Sequence, residues 1–258
     1  MTAPPLPGLV PDWPASPRVR AFSTVRAGGV SAGPWGLEGG LAGGLNLGAH
    51  VGDDPSAVAE NRARLQAALP APIRWLEQVH GTAVHDADRP AHEVPVADAA
   101  VCSSGAVVLA VMTADCLPVL LADREGRAVA LAHAGWRGLA AGVVEAAVAA
   151  LRAKAGERAS IAAWLGPAIG PRAFEVGDEV RAAFCDGDAR AARAFAADPV
   201  AGKWRADLCA LARLRLADCG VEAVHGGDAC TVSEPSRFYS HRRDRRTGRM
   251  ASLVWLVD

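Results

Sequence analysis

Two apolar runs in the middle of the chain constrain its fold more than any other feature. Val107–Met112 and Ala128–Ala132 are short, rich in Val and Leu, and bounded by turn residues, as buried strands are. Asp115 and Cys116 follow the first run, and His133 follows the second. If the two strands are neighbours, the thiol and the imidazole lie at adjacent strand ends, in loops held by a rigid sheet. Functional side chains often occur in such places.

The rest of the chain carries further helix and strand patterns. Predicted helices occupy amphipathic or Ala-rich segments: Ser56–Leu69, Leu139–Ala155, Asp178–Phe184, Ala189–Ala197 and Asp207–Cys219. Predicted strands occupy short apolar or alternating segments: Arg18–Arg26, Arg74–Gln78, Ser160–Leu165, Val221–His225 and the last residues of the chain. Residues 1–17 contain several prolines and are predicted to form an irregular lead-in. Residues 18–258 are predicted to form a single catalytic domain, because no repeat or linker-like boundary interrupts them.

Composition and charge limit the partners and the compartment. A net charge of −1 gives no electrostatic reason to expect a nucleic-acid or membrane partner. No apolar stretch approaches the ~20 residues that a membrane span needs. The N-terminus has neither a basic region nor a continuous apolar core, so a secretory signal is not predicted. The six cysteines are irregularly spaced and form no C-x-x-C, which indicates reduced thiols and a cytoplasmic location.

Three residues are candidate metal ligands: His80, Cys116 and His133. Their wide spacing along the chain is weak support, but each lies at a predicted strand end, beside a Gly or Pro that lets the backbone turn. Two imidazoles and one thiolate leave a fourth position open, as in catalytic zinc sites, and the thiolate favours a borderline or soft metal over Mg²⁺ or Ca²⁺. Taken singly, each residue has a plainer explanation, because a buried His is commonly just hydrogen-bonded and a buried Cys commonly just packs.

The same residues support a metal-free alternative. Cys116 and His133 would then be a nucleophile and its base, oriented by His80 or Asp115. Asp115 has three interpretations: it could cap the following turn, orient a metal ligand, or act as a general base.

Arginines near the predicted pocket are candidate anion ligands. Arg62 lies on a helix after a loop and Arg137 lies within AGWRGL, and the fork of a guanidinium suits phosphate. Arg242 belongs to a C-terminal arginine cluster, for which a solvated charged surface is the simpler interpretation. The loop Leu165–Pro171 could present backbone N–H groups to an anion, but it lacks the lysine of a P-loop.

Several enzyme signatures are absent from the sequence. The zinc nucleobase-deaminase pattern, H-x-E with P-C-x-x-C, is missing, and so are H-E-x-x-H and G-x-S-x-G. The chain has seven histidines and no H-x-H pair, so a conventional multicopper mechanism is discounted.

Motifs in collinear order resemble one known family. They are NLGAHVGDDP, followed by Asn61–Arg62; QVHG at Gln78–Gly81; TADCLPVLLAD at Thr113–Asp123; AHAGWRGL at Ala132–Leu139; LGPAIGP with Phe174–Gly177; and CT…FYSHRRD..TGR near the C-terminus. From about Phe22 onward the chain is similar to the YfiH-type laccase-domain family. Its members were once labelled polyphenol oxidases and are now described as purine nucleoside phosphorylases.

The resemblance implies a fold, a cofactor and a chemistry. The implied fold is α+β, a four-layer αββα sandwich with mixed β-sheets, related to a toxin deamidase domain with a Cys–His pair. The implied cofactor is zinc, with copper as an alternative, held by His80, Cys116 and His133. The implied partners are phosphate and a small-molecule nucleoside: adenosine, inosine or S-methyl-5′-thioadenosine. Adenosine deamination is implied as a further activity.

The leading hypothesis is a metal-assisted purine-nucleoside enzyme. Cys116 and His133 are predicted to be catalytic as well as metal-binding, and Asp115 is predicted to transfer a proton. The residues predicted to bind substrate are polar members of the motifs: Asn46, Arg62, Arg137 and Arg242. In phosphorolysis, phosphate reaches the anomeric carbon of ribose while the leaving base is protonated, and the three arginines are the candidate phosphate clamps.

Three alternatives stay open at this point. A metal-free Cys–His amidase or deamidase would survive chelation but not alkylation. A copper-dependent phenol oxidase would consume oxygen in proportion to bound copper. A zinc-stabilised interaction module would have a closed site with four ligands, the fourth being Cys230 or His241.

Overall fold

The computed structural model describes residues 6–257. Its strands, in chain order, are β1 Gly8–Leu9, β2 Val19–Thr24, β3 Ala27–Ser31, β4 Ile73–Arg74, β5 Val84–Asp86, β6 Ala99–Cys102, β7 Val108–Thr113, β8 Leu117–Asp123, β9 Val129–Ala134, β10 Ile161–Leu165, β11 Glu175–Gly177, β12 Phe195–Ala197, β13 Lys203–Ala206, β14 Ala223–Gly226 and β15 Met250–Leu256. Its α-helices are α1 Pro55–Ala67, α2 Trp136–Ala141, α3 Val143–Ala155, α4 Asp178–Cys185, α5 Leu208–Asp218 and α6 His241–Asp244. Short 3₁₀ helices cover Gly33–Trp35, Glu38–Gly40 and Ala189–Ala194.

The N-terminal lead-in is partly ordered into a sheet. Residues 1–5 of the predicted irregular segment lie outside the described residues, as does residue 258. Within the described part, Gly8 and Leu9 pair antiparallel with Thr24 and Ser23 of β2. The division into a lead-in and one catalytic domain stays a prediction.

Two mixed sheets form the centre of the fold. One has the strand order β1-β2-β15-β7-β4 and the other β14-β10-β8-β9-β6-β5, while β11-β13-β12 form a small separate sheet. Most neighbours are antiparallel, but β4 with β7, β5 with β6 and β10 with β14 are parallel. The two large sheets therefore combine hairpin-like and crossover connections.

The two large sheets pack face to face over an apolar layer. Because successive side chains of a strand point to opposite faces, alternate residues of each central strand enter this layer. Its fully buried members include Leu109 and Val111 of β7, and Leu120, Val129 and Leu131 of the other sheet. The opposite faces of the same strands are also buried, which explains why these strands are continuously apolar rather than alternating.

Helices cover both outer faces. On the β7 sheet, Val108 and Ala110 point outward and share a cluster with Leu65 of α1. On the β9 sheet, the buried side of α3 and residues of α5 pack over Ala130 and Ala132. The resulting order of layers is helix, sheet, sheet, helix. This confirms the αββα sandwich that the family resemblance implies.

The two apolar runs are not neighbours in one sheet, so the condition stated for them is not met. β7 pairs with β15 and β4, whereas β9 pairs with β8 and β6 in the opposite sheet. The chain crosses between the sheets at Asp115, which has a left-handed φ of 99°. β8 then runs antiparallel to β9, with Pro118 opposite His133. Because both runs are apolar on both faces, their sequences do not distinguish side-by-side pairing from face-to-face packing.

Two predicted helices differ from the observed elements. The segment Leu139–Ala155 is split into α2 and α3 at Gly142, whose left-handed φ of 102° ends the first helix. The segment Ala189–Ala197 is a 3₁₀ helix followed by β12, because Phe195 and Ala197 pair with β13. The Ala-rich composition favours a helix locally, but the sheet pairing overrides that propensity.

No helix within residues 6–257 is both long enough and apolar enough to cross a bilayer.

Candidate metal and active site

Three side chains from distant parts of the chain meet at one point. The ligand atoms of His80, Cys116 and His133 all lie within 4.8 Å of one another. The Cys116 Sγ is 3.7 Å from the His80 Nε2. The two imidazole rings meet edge to face, with centroids 4.8 Å apart. These three residues could therefore hold a metal ion.

The sheets place the three side chains. His133 is on β9 and shares a face with Val129 and Leu131, so it points into the layer between the sheets at the end of that layer. Cys116 immediately precedes β8 and lies beside His133 because β8 and β9 are paired in that register. His80 occupies a tight turn and has a left-handed φ of 61°, which is uncommon for a residue other than glycine.

A buried carboxylate, Asp98, organises this site. Its Oδ1 accepts hydrogen bonds from the backbone N–H of His80 (3.0 Å) and from the Nδ1 of His133 (2.8 Å). Its Oδ2 accepts from the backbone N–H of Val79 (3.1 Å) and Gly81 (2.7 Å). One fully buried side chain thus orients one histidine and holds the turn that carries the other.

Asp98 is not among the site residues that the sequence predicts. The available signal was an acidic residue immediately before the buried strand β6, inside the apolar segment from Val96 to Val101. A charge in such a place is either paired or hydrogen-bonded, so it is a candidate for a site residue.

Electrostatics favour a charged Cys–His pair when no metal is bound. Burial alone raises the pKa of Cys116, but the neighbouring His133 charge and hydrogen bonds from both histidines outweigh it and lower that pKa to about 6. Burial alone lowers the pKa of His133, but the Cys116 thiolate and Asp98 raise it to about 9. Burial opposes ionisation of Asp98, yet its hydrogen bonds with His133 and the backbone keep its pKa below the usual range.

The donor set fits a borderline metal such as zinc. Since the Nδ1 of His133 bonds to Asp98, its Nε2 is the nitrogen left for a ligand, the arrangement that metal-binding histidines commonly show. Gly135 leaves the space that the ligands occupy. A Cβ at this position would lie 2.8 Å from the His80 Cδ2 and 3.0 Å from the Cys116 Sγ. The three donors also line a cavity of about 700 Å³, so one side of the cluster faces open space.

Gly135→Ala should weaken metal binding by about tenfold or more, with little change in global stability. The backbone at this position (φ −60°, ψ 154°) is normal for alanine, so the added methyl acts only by displacing His80 and Cys116. Competition with a chromophoric chelator measures the affinity and thermal unfolding measures the stability. Gly187→Ala is the matched control, because nothing lies within 4 Å of its added methyl. Unchanged metal affinity in Gly135→Ala would contradict this geometry.

The cavity has a mixed and mainly cationic wall. Two arginines and two further histidines face one carboxylate, that of Glu77, across a lining that is otherwise apolar or neutral. The charged and imidazole members other than the ligands are His50, Glu77, Arg137, His241 and Arg249. Gln78, which also lines the cavity, is fixed by two hydrogen bonds between its amide and the backbone of Met112.

The carboxylate of Asp115 is hydrogen-bonded to the C-terminal segment. Its Oδ1 accepts from the hydroxyl of Thr231 (2.6 Å) and its Oδ2 accepts from the backbone N–H of Arg242 (2.6 Å). It is also one of three non-glycine residues with positive φ among the described residues. Each carboxylate oxygen of Asp115 thus accepts one hydrogen bond from the C-terminal segment, and the predicted proton transfer stays a prediction.

Asn46 is fully buried and has no free polar atom. Its Nδ2 donates to Asp53 (2.9 Å) and to the carbonyl of Gly48 (3.3 Å). Its Oδ1 accepts from the backbone N–H of Gly48 (3.0 Å) and Arg249 (2.9 Å). It is absent from the cavity wall, and its contacts position the segments that carry His50 and Arg249.

The three arginines predicted to bind phosphate do not all line one cavity. Arg137 stacks on Trp136 and lines both the cavity of the cluster and an adjacent depression. Arg62 lies behind the wall, with its Nε on the carbonyl of Leu47 and its guanidinium 4.5 Å from the ring of Trp75. Arg242 lines an adjacent depression of about 630 Å³, not the cavity of the cluster.

The two candidate fourth ligands stay outside the cluster. Cys230 accepts hydrogen bonds from the backbone of Gly170 and from Ser233, and it is not part of the group of three donors. His241 lines the cavity, but its Nδ1 lies 2.8 Å from the carbonyl of Arg245.

Comparisons with known proteins match nearly the whole chain to one family and to curated relatives. The family described as multi-copper polyphenol oxidoreductase laccase matches residues 20–257. A relative from Pseudomonas aeruginosa, named a purine nucleoside phosphorylase, is 55% identical over 250 residues, covering 97% of this chain and 98% of that one. Another from Escherichia coli K12, named purine nucleoside phosphorylase YfiH, is 52% identical over 251 residues, covering 96% and 98%.

Solved structures show the same fold. A crystal structure of a Neisseria meningitidis protein is 49% identical and has a TM-score of 0.89, covering 97% of this chain and 99% of that one. A Bacillus licheniformis protein described as hypothetical protein YfiH is 30% identical and has a TM-score of 0.83, covering 93% of each chain.

Proposed function

The chain belongs to the multi-copper polyphenol oxidoreductase laccase family, and we propose, from this membership and from the three-donor site, that it is a metal-dependent purine nucleoside phosphorylase. The observation that carries the proposal is the near-full-length similarity to relatives that bear this name, at up to 55% identity. We further propose adenosine, inosine and S-methyl-5′-thioadenosine as substrates, with adenosine deamination as a side activity.

The cavity supports a nucleoside and an anion as ligands. Its volume of about 700 Å³ falls within the range of small-molecule sites, roughly 300–1,000 Å³. Leu76, Met112 and Ala114 supply apolar wall for a purine ring, and the cationic residues of the wall suit phosphate.

His80, Cys116 and His133 would hold the metal, which we propose is zinc, with copper as the alternative. When bound there, such a metal would supply Lewis-acid chemistry. The residues of the chain supply the rest: Asp98 keeps His133 in one tautomer, and Arg137 places positive charge at the cavity wall.

The free cysteines support a proposal about the cellular compartment. All six cysteines are unpaired in the structure, and we propose a cytoplasmic location, where thiols remain reduced.

A turnover screen tests the proposed function. The metal-loaded protein is incubated with each of the three nucleosides, with and without inorganic phosphate. Free base and ribose 1-phosphate are then measured, and ammonia is measured for adenosine. Base release that needs both phosphate and metal is expected. Absence of base release from every nucleoside in the metal-loaded protein would refute the proposal.

One observation favours a second candidate, a metal-free cysteine amidase or deamidase. Cys116, His133 and Asp98 lie in the order of a nucleophile, a base and an orienting carboxylate, and the pKa of Cys116 is lowered to about 6. A chelator separates the candidates, because it would abolish phosphorolysis but leave a thiol hydrolase active. Alkylation of Cys116 would inhibit both.

A further inference from the structure

Arg249 is a half-buried cation in the cavity wall without an ion-pair partner. Its backbone N–H is held by Asn46, and its Nη1 donates to the carbonyls of Thr247 (3.2 Å) and Gly248 (3.1 Å). Among residues 6–257, its Nε and Nη2 make no hydrogen bond and no carboxylate forms a salt bridge with it. The side chain is thus anchored at one nitrogen while two remain available to a ligand.

His50 reaches the same part of the cavity because its loop packs against Arg249. A Cβ on Gly48 would lie 2.7 Å from the Cγ of Arg249, so this glycine permits the close approach. His50 follows two residues later and lines the same cavity. Burial, then the charges of Arg249 and Arg62, lower its pKa, as expected for an imidazole placed between two cations.

Arg62 adds charge from behind the wall. Its guanidinium rests on Trp75 and lies 3.9 Å from the sulfur of Met112, which is itself part of the lining. Like Arg249, it has no salt bridge within the described part of the chain. Two arginines and a histidine therefore lie near one another at the cavity, and within residues 6–257 none of the three forms a salt bridge with a carboxylate. An unpaired arrangement of this kind is stabilised when an anion binds.

We propose that Arg249 and His50 form the subsite for inorganic phosphate, with Arg62 as a supporting charge. This assignment rests on the proposed phosphorolysis and moves the phosphate site away from Arg242. In the reaction, an oxygen of hydrogenphosphate bonds to the ribose C1′ as the bond from C1′ to the purine nitrogen breaks. The electron pair of that bond leaves with the purine, and the proton of hydrogenphosphate ends on the purine. The fork of Arg249 holds two phosphate oxygens and His50 contacts a third.

The test uses the metal-loaded full chain and varies inorganic phosphate at saturating nucleoside. Arg249→Gln and His50→Gln are each expected to raise the KM for phosphate about tenfold or more, because each loses hydrogen bonds to a charged ligand. The KM for the nucleoside should change less than the KM for phosphate, because the proposed contacts of Arg249 and His50 are with phosphate oxygens. Arg249→Lys should be intermediate, because it keeps the charge but loses the fork.

A binding measurement accompanies the kinetics. Calorimetric titration with inorganic phosphate alone should show binding to the wild type and a weaker or absent signal in Arg249→Gln. Arg246→Gln is the matched control: it removes the same charge three residues earlier, from a side chain stacked on Trp35 outside the cavity, and should behave like the wild type.

Unchanged phosphate KM and unchanged phosphate binding in Arg249→Gln would overturn the assignment. If that variant does not fold, Arg249→Lys and His50→Gln decide in its place. A wild type that binds phosphate but releases no base from any nucleoside would refute the phosphorylase proposal and leave the subsite standing. Turnover that depends on phosphate in the wild type and is insensitive to both positions would refute only the subsite.

Discussion

Cys116→Ala is expected to lose both the bound metal and nucleoside turnover. The variant keeps two imidazoles, and a site of two neutral nitrogens no longer has the anionic donor that selects a borderline metal. Loss of a Lewis acid worth several kcal/mol corresponds to a fall in kcat/KM of about a thousandfold or more. His133→Ala should give the same result, because it removes a second of the three donors. Elemental analysis and a phosphorolysis assay measure the two effects.

Two control variants distinguish loss of a metal ligand from loss of a thiol or an imidazole elsewhere in the protein. Cys185→Ala removes a thiol outside the cluster, and His92→Ala removes an exposed imidazole. Both should keep the wild-type metal content and the wild-type rate. Full metal content together with wild-type phosphorolysis in either Cys116→Ala or His133→Ala would show that the cluster is not the active centre.

Asp98→Asn is expected to damage metal binding and folding together. The amide that replaces the carboxylate keeps one acceptor oxygen, whereas the two oxygens now receive four N–H groups, two each, so two donors lose their partner. We expect a loss of about 2–3 kcal/mol in the free energy of unfolding. Metal affinity should fall about 10- to 100-fold, because His133 is no longer held in the binding tautomer. Denaturant unfolding and chelator competition measure the two quantities.

The stability difference between the wild type and Asp98→Asn should depend on pH in a direction that the pKa of Asp98 determines. Because the pKa of Asp98 is lowered in the folded protein, its carboxylate stabilises the fold above the unfolded pKa of about 4, and this contribution is lost as the pH falls through the folded value. The stability difference between wild type and variant should therefore shrink in acid.

Asp88→Asn is the matched control for Asp98→Asn. Asp88 also accepts several hydrogen bonds, from Ser103, Ser104 and Lys154, and its pKa is lowered to about 2 despite burial, which opposes ionisation. It lies outside the cavity wall, so its loss should reduce stability without changing metal affinity. Equal effects of the two substitutions on metal affinity would mean that Asp98 acts only through global stability.

The chemistry of the site was accessible from the sequence, but its full set of residues was not. His80, Cys116 and His133 could be chosen because thiols and imidazoles near a Gly or Pro at predicted strand ends are few and chemically distinctive. Arg249 could not be chosen over Arg242, since both lie in the same arginine-rich segment. Their different positions depend on hydrogen bonds between residues far apart in the chain: the backbone N–H of Arg249 donates to Asn46, and the Nη1 of Arg242 donates to the carbonyl of Glu175.

By itself, the sequence determined that Val107–Met112, Ala128–Ala132 and Ser160–Leu165 contain strands, that Ser56–Leu69 contains a helix, and which donors are available for a metal. Each of these depends on side-chain chemistry and on periodicity over a few residues. Only the tertiary structure decided that β7 and β9 face each other across two sheets and that β8 brings Cys116 to His133. It likewise decided that Asp98 joins the two histidines. A strand that is apolar on both faces can be buried in several ways, and the packing of the whole chain selects one of them.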